Sequence, residues 1–152
     1  MTEVRHATGA DAADLGRLLF EFNSEFSSPT PDAELLAERI ARFIERNDAT
    51  FLLGGPGPDG FAEIRYRTTL YSEGLDAHLE ELYVAPSQRG RGLGRALLKA
   101  AMETARKEGA MRMDLGTSED DTAARGLYES TGFINRENGP DGPLMFYYER
   151  DL

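Results

Sequence analysis

Arg89-Gly90-Arg91-Gly92-Leu93-Gly94-Arg95 is a run of alternating glycines, and what flanks it decides how the chain folds. Upstream stands His78-Leu-Glu-Glu-Leu-Tyr-Val-Ala85, which reads as a buried strand and ends at Pro86. Downstream, Leu93, Ala96, Leu97, Ala100, Ala101 and Ala105 recur at helical spacing with Lys and Arg between them. That helix reaches Lys107 and stops at Gly109. A glycine-rich turn between strand and helix leaves backbone N–H groups outside any ladder, at the positive end of the helix dipole. Glycines in alternate positions let an anion approach the main chain without meeting a Cβ. The turn is suited to a phosphate.

The details narrow the choice. A dinucleotide-binding fingerprint needs a third glycine where Arg95 stands, and a P-loop needs a Gly-Lys-Ser/Thr ending that this chain lacks. The pattern Arg89-x-x-Gly92-x-Gly94 instead resembles the Q/R-x-x-G-x-G/A pyrophosphate loop of the GNAT superfamily of acyl-CoA-dependent N-acyltransferases. Taken alone, it is equally an ordinary Gly-rich turn with solvated arginines. Its downstream partner shifts the balance. Ala124-Arg-Gly-Leu127-Tyr128-Glu-Ser-Thr-Gly132-Phe133 resembles the family's N-x-x-A-x-x-L-Y-x-x-x-G-F segment. Between the two, Met111-Arg-Met-Asp-Leu115 supplies a strand, and a right-handed crossover makes it parallel to the strand before the turn. Asp121 occupies a place where the family often has Asn. Its carboxylate can cap the following helix but cannot donate an N–H to a pantetheine arm.

Composition sets bounds on function. At 152 residues, residues 1–152 are most simply one domain with a real core. No apolar run approaches the roughly 18 residues of a membrane span. The absence of cysteine removes a covalent acyl-thiol intermediate and thiolate metal sites, and fits a reducing, cytoplasmic setting. With two histidines and no cysteine, no metal-ligand cluster is expected. The net charge of −10 opposes nucleic-acid binding and favours cationic small molecules or peptides. Against that field Arg89, Arg91, Arg95 and Lys99 form a local positive cluster at a helix start, where cations are disfavoured unless an anion lies near.

Elsewhere the pattern predicts a short strand over Val4–Thr8 and a helix from about Asp11 carrying Leu15, Leu18, Leu19, Phe22 and Phe26. A second helix follows with Thr30 as N-cap and Pro31 in its first position, ending by Asn47. Thr50–Leu53 and Phe61–Arg67 form a hairpin. Phe133–Arg136 and Leu144–Glu149 are expected as two final strands around the Asn138–Pro143 loop. The expected fold is α/β: a mixed, mostly antiparallel twisted sheet of six to seven strands with a parallel pair at the cofactor site, and about four helices on both faces. This order matches the GNAT fold from end to end. An exposed edge at Phe146–Tyr148 would allow a homodimer.

The resemblance implies acetyl-CoA as cosubstrate and an amine as acceptor, with direct transfer in a ternary complex. It implies that main-chain groups of Leu82, Tyr83 and Val84 pair with the pantetheine arm and acyl carbonyl. It places the diphosphate on Arg89, Gly90, Arg91, Gly92, Leu93, Gly94 and Arg95, with Asp121 and Ala124 also at the cofactor. Fixing two reactants in one site supplies on the order of 7–11 kcal/mol, and an amide aimed at the oxyanion roughly 3 kcal/mol. Leu79-Glu80-Glu81-Leu82-Tyr83-Val84 resembles the matching strand of the spermidine/spermine N-acetyltransferases. By that match Glu80 is the favoured base, direct or through water, with Glu81 second, and strand alternation puts the two on opposite faces. His78 is a third candidate. The plain alternative is two exposed strand carboxylates. Tyr128, by its place in the motif, would protonate the leaving thiolate, or else is a core tyrosine.

Glu21, Glu25, Glu63, Glu80 and Glu81 together would line an acidic pocket for a cationic amine, or lie solvated. Three functions follow: N-acetyltransfer to a small primary amine such as a polyamine, an aminoglycoside-like sugar or an amino acid; transfer to a protein N-terminus or lysine; or a non-catalytic acyl-CoA-binding regulatory module.

Overall fold

The computed structural model describes residues 3–152. These group into two compact units, one running to Leu115 and the other from Gly116 to Leu152.

The first unit holds a sheet of five strands, β1 (Val4–His6), β2 (Thr50–Gly54), β3 (Gly60–Thr68), β4 (Leu75–Val84) and β5 (Ala110–Asp114), neighbours in that order. The first three pairings are antiparallel and β4–β5 is parallel. Three helices belong to it: α1 (Ala12–Glu25), α2 (Ala33–Glu45) and α3 (Leu93–Lys107). Alternation in the strands divides the core in two. Phe51, Leu53, Phe61 and Tyr83 pack with Ala12, Leu15, Leu18 and Ile40 of α1 and α2. On the opposite face a Cβ at Gly54 or Gly60 would meet the side chains of Leu93 and Leu97, which α3 lays on the sheet. Gly16 is where α1 and α2 cross: a Cβ there would sit 2.6 Å from the Ala33 carbonyl oxygen.

The α2 start differs from expectation. Asp32, not Thr30, is the N-cap, and its Oδ1 accepts the Leu35 N–H at 2.8 Å. Thr30 instead receives the Asn23 side-chain amide at 3.1 Å and donates to the Pro31 carbonyl. Pro31 therefore precedes the cap rather than opening the helix.

The second unit carries α4 (Thr122–Ser130). Asp121 caps it, accepting the Ala124 N–H at 3.1 Å, as its acceptor chemistry allows. At the other end the chain closes a Schellman motif. Gly132 stands at φ +98°, its N–H donates to the Glu129 carbonyl, and the Phe133 N–H donates to the Tyr128 carbonyl at 3.0 Å. The Tyr128 and Phe133 rings meet edge to face at 6.0 Å, the apolar contact this cap usually includes. Local folding thus accounts for the Tyr128…Gly132-Phe133 spacing.

The six to seven strands expected are five among the described residues. Phe133–Arg136 and Leu144–Glu149 share one isolated bridge, Arg136 to Leu144, flanked by the Met145 N–H to the Asn135 carbonyl and the Glu137 N–H to the Pro143 carbonyl. Pro140 and Pro143 carry no amide donor, and Asn138 and Gly139 turn at φ +60° and +116°, so the pairing is interrupted as soon as it starts. Phe146, Tyr147 and Tyr148 are exposed and form no strand edge of the kind proposed for pairing.

Candidate active site

The glycine turn is built as its sequence requires. A short 3-10 turn over Pro86–Gln88 ends β4, and Gly90 and Gly92 follow at φ +75° and +87°, a backbone region L side chains rarely occupy. A Cβ on either would meet nothing within 4 Å, so the space in front of the turn is open. The first bond closing α3 runs from the Ala96 N–H to the Gly92 carbonyl. Amides ahead of it, from Gly92 to Gly94, fall outside the helix's own ladder and point along its positive end. The first turn of α3 contains no acid. The residues present fit a diphosphate.

Arg89 is placed differently from its neighbours. Its Nε donates to the Val84 carbonyl at 2.9 Å and its Nη2 to Glu25 Oε1 at 2.8 Å. The guanidinium lies 5.6 Å from the centroid of the Tyr83 ring, and Phe22 stacks on the same ring at 4.9 Å. The last turn of α1, the end of β4 and the start of the glycine turn are thereby tied together. Sequence reasoning missed this role of Glu25, because nothing in a residue 64 positions away signals a shared carboxylate.

The ladder between β4 and β5 closes at His78↔Asp114, so Leu79 to Val84 pair with β3 alone among the described residues. The parallel strands part there, and the β5-facing main chain of Leu82, Tyr83 and Val84 lies outside the sheet. Val84's carbonyl is occupied by Arg89, and the Tyr83 side chain is buried in the core.

The carboxylates depart from expectation. The register runs Ile64↔Leu79 but Glu63↔Glu81, which leaves Glu80 as the extra residue of a β-bulge. A bulge breaks period-two alternation. Glu80 and Glu81 therefore share the face toward α1 and α2 instead of opposing one another. Glu80 Oε2 stands 3.3 Å from His78 Nε2, and its charge acts on both Glu63 and Glu81. His78 Nδ1 is held by Asp114 Oδ1 at 2.5 Å, and Asp114 Oδ2 accepts from Arg67 Nη2 at 3.0 Å. A line of side chains thus runs Arg67–Asp114–His78–Glu80. Asp114 fixes which His78 nitrogen faces Glu80, since a carboxylate can only accept. The parallel register that pairs His78 with Asp114 is not written in either strand's sequence.

Burial dominates the chemistry of the other two acids. Glu63 is 6 % exposed in a row Phe51–Glu63–Glu81 across three strands, next to the row Leu53–Phe61–Tyr83. Burial first, then the charges of Glu80 and Glu81, push its carboxyl up to about 7 against an opposing pull from Arg65. Burial and then Glu80 push Glu81 to about 7 as well. Two acids facing one another are thus able to exchange protons near neutrality. Asp121, Ala124 and Tyr128 belong to the second unit and stand as described above.

A mixed sheet whose one parallel pair parts beside a glycine turn at a helix start is the frame of the site. Residues 15–133 match the model of the acetyltransferase (GNAT) family, and the chain belongs to that family. It is 30% identical over 141 residues to an aminoglycoside N(6')-acetyltransferase type 1 of Stenotrophomonas maltophilia, covering 88% of this chain and 87% of that protein. It is 45% identical over 65 residues to the mycothiol acetyltransferase of Thermobispora bispora, but spans only 22% of that longer protein. The crystal structure of an assigned acetyltransferase from Arthrobacter sp. FB24 superposes with a TM-score of 0.89 at 39% identity, over 99% of this chain and 96% of that one.

Proposed function

We propose that this chain transfers an acetyl group from acetyl-CoA to a primary amine of a small cationic molecule, by direct attack in a ternary complex. The observation that carries the reading is the bulge at Glu80, which gathers Glu63, Glu80, Glu81 and His78 on one face beside the parted strands. An amine arrives as an ammonium and must lose a proton before its nitrogen attacks the thioester carbonyl. Glu80 accepts that proton directly or through water, and His78, oriented by Asp114, passes it on. The C–S bond then breaks, and Tyr128, by its place in the motif, returns a proton to the thiolate. Main-chain groups of Leu82, Tyr83 and Val84 align the acyl arm. The turn from Arg89 to Arg95 seats the diphosphate, with Asp121 and Ala124 completing the cofactor side. Arg89's side chain supports the turn from Glu25, while its neighbours supply amides and positive charge. Residues 1–152 act as one transferase domain in this reading.

The aminoglycoside-modifying relative, similar over most of both chains, supports a small polyamino acceptor. A panel of amines assayed for free thiol release from acetyl-CoA tests the reading. Turnover restricted to cationic small amines is expected. Turnover restricted to peptides, or tight CoA binding with no release, would favour the peptide acceptor or the non-catalytic module.

A further inference from the structure

Glu63 is the acid that the proposed chemistry leaves unused. It is 6 % exposed, accepts no hydrogen bond and has no ion-pair partner among the described residues. Its carboxyl oxygens are nonetheless not sealed: among the described residues the sealed, unpaired side-chain atom is Tyr66 Oη. The tip of Glu63 therefore keeps a trace of solvent contact. Glu81 faces it directly across β3 and β4, and the bulge brings Glu80 to the same side. Phe51 and Phe61 are its neighbours across and along the sheet. A buried acid is ordinarily paired, and among the described residues no Lys or Arg side chain makes an ion pair with Glu63 or with half-buried Glu81. Arg65, the nearest opposing charge felt by Glu63, is turned over the Phe43 ring at 5.0 Å.

Counting charges points outward. One carboxylate, Glu80, suffices for the reacting ammonium, and two more face each other beside it. We propose that Glu63, paired with Glu81, is a specificity-determining residue that seats a second ammonium group of the acceptor. This rests on the acyl-transfer reading above. Opposed carboxyls beside an apolar, aromatic core match a compact cation in both charge and desolvation. Seating the cation displaces protons that the pair otherwise holds near neutrality, in the field of Glu80, Glu81 and Arg65.

The test uses the full chain, with 1,4-diaminobutane and butylamine as probes, by calorimetry near neutral pH in two buffers of different ionisation heat. The wild type is expected to bind the diamine at least about tenfold more tightly than the monoamine, with proton release. Glu63→Gln is isosteric and removes a buried charge, and Glu81→Gln serves as a second variant. Each is expected to bring the two amines within about twofold and to reduce proton release, with CoA affinity unchanged. Equal binding of the two probes by the wild type, no detectable binding of either, or a preference retained in both variants would overturn the assignment. Thiol release separates the two levels. Its absence with every amine contradicts acyl transfer itself, whereas thiol release by the wild type at equal rates with the diamine and the monoamine contradicts only the assignment of Glu63.

Discussion

Glu25 Oε1 and Arg89 Nη2 lie 2.8 Å apart, joining the last turn of α1 to the residue that begins the glycine turn. The same guanidinium binds the Val84 carbonyl, so one side chain fixes the end of β4 relative to the turn. Both partners are partly exposed, and an ion pair of this kind contributes about 0–1 kcal/mol to stability. Its effect belongs to function. Glu25→Gln should leave the melting temperature nearly unchanged and weaken CoA binding by roughly two- to fivefold, measured by calorimetry.

The buried acids set a pH dependence. Glu63 ionises near 4.5 in the unfolded chain and near 7 in the folded one. Below 4.5 both states are protonated. Between the two values the folded state holds more protons, so stability falls as pH rises through about 7. The rise corresponds to on the order of 3 kcal/mol. Glu63→Gln should match the wild type in urea unfolding near pH 5 and exceed it by about 1–3 kcal/mol near pH 8.5. Equal stability at both pH values would show that Glu63 is solvated. Gain in stability with loss of diamine affinity is the pattern of a residue retained for function.

Catalysis offers a separate check. Glu80→Gln and Tyr128→Phe should each lower kcat by about 10- to 1,000-fold while leaving CoA affinity intact. Unchanged kcat in either would remove that residue from the proton path.

The helix ends predict stability changes. Ser27 sits at φ +54° just past α1, its N–H donating to the Ser24 carbonyl at 3.2 Å and that of Ser28 to Asn23 at 2.8 Å. This is the glycine position of a Schellman cap occupied by a serine. Ser27→Gly should raise stability by about 0.5–1 kcal/mol in denaturant unfolding.

Gly132 is the converse. At φ +98°, with the Tyr128–Phe133 contact depending on the turn, Gly132→Ala should destabilise the second unit by about 1–2 kcal/mol. Proteolysis confined to residues 116–152 would report it.

Local signals were the legible ones. Alternating glycines between an apolar strand and an amphipathic helix announced β4, the turn and α3, and the Leu93–Lys107 span with Gly109 beyond it follows from spacing alone. Asp121's cap could be read from its acceptor chemistry. Non-local register could not. The bulge that turns Glu80 to the same face as Glu81 exists only because β3 and β4 pair as they do. Asp114 reaches His78, and Glu25 reaches Arg89, across 36 and 64 residues. The last two strands were misread because Leu144-Met-Phe-Tyr-Tyr148 has strand composition, whereas strands also need partners, and the proline-bearing turn before it interrupts the ladder.

Titration of CoA into the full chain, wild type beside Gly92→Val, tests the central claim most directly. Main-chain amides at the start of α3 holding the diphosphate predict clear binding by the wild type. They also predict a loss of at least about tenfold in the variant, because a β-branched residue cannot hold φ +87°. No heat of binding for the wild type, or equal affinity in the two proteins, would contradict it.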